Sequence, residues 1–117
     1  MHSRALILAL TCVLGASGAL AHSKVAKSVP AEGAIAKTGL SEITLGFSKP
    51  VRLMLVKVRN TKDKSDVKAE FKPAATFKSS FPFKVAPLDV GAYQVNWTAI
   101  AKDGHVMKGE LSFKVAQ

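Results

Sequence analysis

The sequence predicts a small all-β domain, a sandwich or barrel, on three observations. Apolar and polar residues alternate with a period of two in several short runs. Turn residues cut those runs at frequent intervals, and no stretch keeps an apolar face at helical spacing for more than a few residues. Antiparallel strands buried on one side produce this pattern, because successive side chains point to opposite faces.

Taken in chain order, a first short strand falls near residues 24–29 and is ended by Pro30 and Gly33. Ile43, Leu45 and Phe47 then alternate with Glu42, Thr44 and Gly46, and Lys49-Pro50 is read as the close of that strand. Met54, Val56 and Val58 alternate with Leu55, Lys57 and Arg59 before a polar turn at residues 61–64. Pro73, Pro82 and Pro87 interrupt the middle of the chain. Gly91 opens a strand in which Tyr93, Val95, Trp97 and Ala99 share one parity, and that parity places Tyr93 and Trp97 in the core. Residues 88–93 read as a tyrosine corner, in which a Tyr near a strand start bonds back to the preceding loop. Asp103-Gly104 is a hairpin signal ahead of a last strand carrying Leu111, Phe113 and Val115 inward.

The first residues are set apart from this domain. A short basic start, an apolar run over residues 5–20 and the small-x-small triplet Ala19-Leu20-Ala21 form a secretory signal. The run is short for a bilayer span. Cleavage is expected after Ala21, giving a signal peptide over 1–21 and a domain over 22–117 with His22 as its first residue. A lipoprotein reading at Cys12 is the weaker rival, since Thr11 precedes it and the apolar run continues past it. Removing 21 of 117 residues leaves 96, enough for one core and too few for two domains. The only Cys leaves with the signal, so no thiolate site or internal disulfide is available. Arg4 leaves too, and the formal charge falls from +9 to +8. The lysines look scattered along the chain, which argues for a soluble surface and against a nucleic-acid face. Attraction to an anionic membrane surface is left open and unspecified.

Two histidines of the processed chain carry the chemistry. His22 would own a free α-amine, and that amine and its Nδ1 can close a chelate ring on one ion. Asp103 and His105 lie two apart around a glycine that permits a tight bend. Together they offer three nitrogens and one carboxylate oxygen. Tetragonal N and O donors suit Cu²⁺, whereas the main competitor Zn²⁺ favours tetrahedral sites. The plainer reading is that Asp103-Gly104 is only a turn and His105 only the start of a strand. Met54 and Met107 read as core filling, because a thioether site for Cu⁺ would gather several Met. Glu32 and Glu110 are further oxygens whose default is a solvated surface role.

These residues resemble the CopC-like periplasmic copper-resistance proteins. The likeness lies in Ala21-His22-Ser23-Lys24 with Ser28-Val29-Pro30-Ala31-Glu32-Gly33-Ala34, in Ile43-Thr44-Leu45-Gly46-Phe47-Ser48, and in residues 88–97, 101–105 and 109–115. The resemblance implies an immunoglobulin-like Greek-key β-sandwich, a Cu²⁺ site at His22, Asp103 and His105, a periplasmic location, and work alongside a CopD-type inner-membrane protein. Two departures stand out. Residues 52–71, where some members carry a Met-rich Cu⁺ loop, are rich in Lys and Asp and hold only Met54. Lys49 stands where some members have an acidic ligand after Phe-Ser. The expected function is a Cu²⁺ carrier or buffer with no catalytic residues and no membrane span after processing. The rivals are a histidine-brace copper oxidase and a metal-free immunoglobulin-like interaction module.

Overall fold

The computed structural model describes residues 25–117. Its elements are all strands: β1 (Val25–Val29), β2 (Ile35–Lys37), β3 (Glu42–Asn60), β4 (Asp66–Val67), β5 (Ala69–Glu70), β6 (Lys78–Val85), β7 (Gly91–Ala101) and β8 (Val106–Ala116). The predicted signal peptide, its cleavage point and His22 lie outside the described residues.

Strand β3 belongs to both layers of a β-sandwich. Its residues 42–46 pair with β6, and β1 lies on the opposite side against residues 44–47. Its residues 51–60 pair with β7, with β4 opposite at Val58 and Arg59. One layer is therefore β1, the first half of β3, β6 and β5; the other is β4, the second half of β3, β7, β8 and β2. The β2–β8 pair is parallel and the rest are antiparallel. Lys49-Pro50 does not end a strand, as the sequence suggested. The chain stays extended through it and changes layer, and the ladder with β6 skips from Gly46 to Val51. A residue without an N–H fits where the ladder is interrupted.

Two further readings are corrected. Leu53 opposes Ala99 and Leu55 opposes Thr98, so Met54 is the extra residue of a bulge. Leu53 thus takes the buried place expected for Met54, while Val56 and Val58 keep theirs. Pro82 does not interrupt the middle of the chain. It sits within β6 opposite Thr44, between the buried Phe81 and Phe83. β5 reaches only Lys84 and Val85, so the backbone at Pro82 has no strand beside it there that needs an N–H.

The core fills the space between the layers. Ile43, Leu45, Phe47, Phe81 and Phe83 meet Leu53, Val95, Trp97, Leu111 and Phe113. Phe47 joins the two sides, with its ring 5.0 Å from Trp97 and 6.0 Å from Phe81, both edge-on. The tyrosine corner is present: the Tyr93 hydroxyl donates to the Asp89 carbonyl at 2.9 Å, and its ring stacks on Phe113.

Candidate metal centre

The β7–β8 hairpin is built by its own short sequence. Gly104 N–H donates to the Ala101 carbonyl at 2.9 Å, and Ala101 N–H donates to the His105 carbonyl at 2.9 Å. Gly104 takes a φ of 90°, in the left-handed region that only glycine enters freely. Nothing lies within 4 Å of where its Cβ would stand, so the demand for glycine is conformational and not spatial.

Asp103 then locks His105 in two places. One carboxylate oxygen accepts the His105 backbone N–H at 3.0 Å, and the other lies 2.6 Å from His105 Nδ1. With the carboxylate ionised, Nδ1 carries the proton and donates it, which leaves the Nε2 lone pair for a ligand. The Asp103 carboxyl is held below its ordinary value, first by the backbone N–H of His105 and then by the imidazole. Both side chains are largely exposed, so the pair can be reached from solvent. Each carboxylate oxygen still has a lone pair beyond the one it has committed.

The register sets what can join this pair. Val25, the first described residue, pairs with Phe47, and β3 runs four residues on to Val51, the partner of Ala101 at the hairpin base. The start of the described chain and the Asp103–His105 hairpin therefore lie at the same end of the sandwich. Three residues can span about 10 Å in extended form. His22 lies outside the described residues, and among them no group of three or more His, Cys, Asp or Glu is gathered as a metal site.

The remaining candidate ligands are elsewhere. Glu32 accepts the Ser112 N–H at 2.9 Å, well along β8 from His105, and so ties the β1–β2 turn to the edge of the second layer. Glu110 accepts from Gln94 Nε2 at 3.0 Å. Met107 is buried opposite Ala99, whereas Met54 stands half-buried at the bulge, so the two thioethers are not brought together. Trp97 is in the core as its parity predicted. Its indole packs so closely on Gly109 that an added Cβ there would meet it at 2.4 Å, and its Nε1 has no hydrogen-bond partner. No helix among the described residues is long and apolar enough to cross a membrane.

Comparison with known proteins agrees with this architecture. The sequence pattern of the CopC domain matches residues 25–116. Copper transport protein CutJ of Bacillus subtilis (strain 168) is 28% identical over 120 residues, covering 96% of this chain and 21% of that protein. The chain thus spans about a fifth of that relative's length. Copper resistance protein C of Pseudomonas syringae pv. tomato is 32% identical over 104 residues, covering 83% of this chain and 82% of that one. The crystal structure of PcoC, a methionine rich copper resistance protein from Escherichia coli, matches with a TM-score of 0.66 at 28% identity, covering 82% of this chain and 100% of that chain.

Proposed function

We propose, for a chain that belongs to the CopC domain family, that it is an exported copper-binding protein of the copper-resistance type, holding one Cu²⁺ as cargo in the periplasm. The observation that carries this reading is the Asp103–His105 hairpin: an exposed imidazole is fixed through Nδ1 by a carboxylate, so that Nε2 is presented outward. Relatives named as copper resistance and copper transport proteins supply the metal.

Two donors do not make a tight copper site, so the hairpin needs partners. Cleavage after Ala21 would give His22 an α-amine and an imidazole in one chelate, and Val25, three residues further on, stands at the hairpin end of the sandwich. His22 then provides two nitrogens, His105 a third and Asp103 an oxygen, a set that suits Cu²⁺ better than Zn²⁺. The hairpin's exposure suits release as well as capture, which fits a carrier or buffer more than an enzyme. The family resemblance points to a CopD-type inner-membrane protein as a partner, whichever way the copper passes.

Intact mass of the exported protein, with and without copper, tests processing and stoichiometry together. The expected result is a chain beginning at His22 with one copper bound. Calorimetry of a variant with one residue added ahead of His22 tests the chelate, and unaltered affinity would refute it.

A further inference from the structure

The strand register gives the two outward faces unequal charge, with the larger positive excess on one side. On the outward face of β3, β7 and β8 the cross-strand rows are Arg52–Ile100–Val106, Leu55–Thr98–Lys108, Lys57–Asn96–Glu110 and Arg59–Gln94–Ser112. Lys114 follows on β8 opposite Ala92. Among the described residues this face holds five cations against Glu110, with Asp66 at its margin 3.6 Å from Arg59. The outward face of the other layer carries a smaller positive excess: Lys27, Lys68, Lys78 and Lys84 stand with Glu42 and Glu70 among Thr44, Ser80 and Pro82.

The cationic face also has an apolar corner. Val106 is 61% exposed and Leu55 is 47% exposed, and Ile100, paired with Val106, stands partly exposed between them. These residues sit at the base of the 102–105 hairpin. We infer that this face is a docking surface for an anionic lipid bilayer, with Lys57, Arg59, Lys108 and Lys114 against the headgroups and Leu55, Ile100 and Val106 entering the interface.

Two features favour lipid over an acidic protein. The face carries no aromatic anchor, and the cleft against β1 only reaches its edge, where Asn96, Lys108 and Glu110 join Trp97 and Leu111 in the lining. Protein interfaces depend on such anchors seated in pockets, and they are depleted in Lys. A charged bilayer asks for neither: it attracts any basic surface through its field, and exposed aliphatic side chains add burial at the headgroup boundary. The inference does not depend on what the hairpin binds.

The test is flotation of the processed protein, without copper, on vesicles of phosphatidylethanolamine with or without phosphatidylglycerol. Binding is expected only with phosphatidylglycerol and is expected to weaken as salt rises. Each cation near the surface is worth about fivefold in partition, so Lys57→Glu with Lys108→Glu should weaken binding at least about 25-fold. Leu55→Ser should weaken it several-fold, and Lys78→Glu with Lys84→Glu, the same charge change on the other layer, should have little effect. With the wild-type protein, spin-labelled lipid should broaden the amide signals of Thr98, Ile100 and Lys108 more than that of Thr44, a readout that needs no variant to fold. Absence of binding, equal losses in the two double variants, or broadening spread over both faces would overturn the inference. So would salt-sensitive binding of an acidic peptide without binding of vesicles, which would make the face a protein-docking surface. One copper bound by a protein that ignores vesicles would sink the membrane inference and leave the copper reading standing.

Discussion

The Asp103 carboxylate holds His105 at both its backbone N–H, at 3.0 Å, and its Nδ1, at 2.6 Å. A two-residue spacing around Gly104 thereby converts a hairpin turn into an oriented imidazole. The same contacts stabilise the turn and select the tautomer, so the plain turn and the metal-binding reading describe one geometry.

Replacing Asp103 therefore tests orientation as well as ligation. Asp103→Ala is expected to lower Cu²⁺ affinity by about 10- to 100-fold, the usual effect of removing a carboxylate that orients a ligand histidine. Asp103→Asn keeps an acceptor for the backbone N–H but loses the charge, and a smaller loss is expected. Competition titration against a chelator measures both, and unchanged affinity in the Ala variant would remove Asp103 from the site.

Acid should act on the hairpin late. The Asp103 carboxyl is held below 3.8 by the His105 N–H and imidazole, and the Asp63 carboxyl is likewise lowered, first by the Ser65 hydroxyl. A pKa depressed by folding gives a contribution that is full above the ordinary value and is lost as pH falls through the lowered one. Carboxyl-carbon NMR titration should place both midpoints under 3.8.

Two glycines should fail for different reasons. Gly104→Ala meets open space but must hold a φ of 90°, a strain of about 1–2 kcal/mol. Gly109→Ala has no such strain but drives a methyl into the Trp97 ring, and an overpacked core is destabilised by about 1–3 kcal/mol. Denaturant unfolding checks both. The Gly109 variant should also change the emission of Trp97, the only tryptophan, and the Gly104 variant should not.

Tyr93→Phe removes the hydroxyl that bonds the Asp89 carbonyl while leaving the ring stacked on Phe113. A loss of about 0.5–1.5 kcal/mol is expected. Thermal melting should fall by several degrees, since about 1 kcal/mol shifts the midpoint of a domain this size by roughly 4–8 °C.

Much of the fold was legible in one dimension because alternation reports burial directly. Ile43, Leu45, Tyr93, Val95, Trp97, Leu111 and Phe113 all face inward as their parity requires. The tyrosine corner and the hairpin at Asp103-Gly104 were equally local and equally readable. Lys49-Pro50 and Pro82 misled, because proline marks a missing N–H and not the end of extended chain. At Pro50 the strand changes layer, and Pro82 stands where β6 has no further strand beside it. Met54 misled because a bulge adds one residue and reverses the parity of everything before it.

By itself the sequence determined most strand faces, the turn chemistry and the closeness of Asp103 to His105 around Gly104, because each depends on residues a few positions apart. Only the tertiary structure decided which strands lie side by side. That choice brought the Val25 end of β1 to the hairpin end of the sandwich and gave one outward face the larger positive excess. Register between distant segments is set by how the two layers share a core, and no local spacing encodes it.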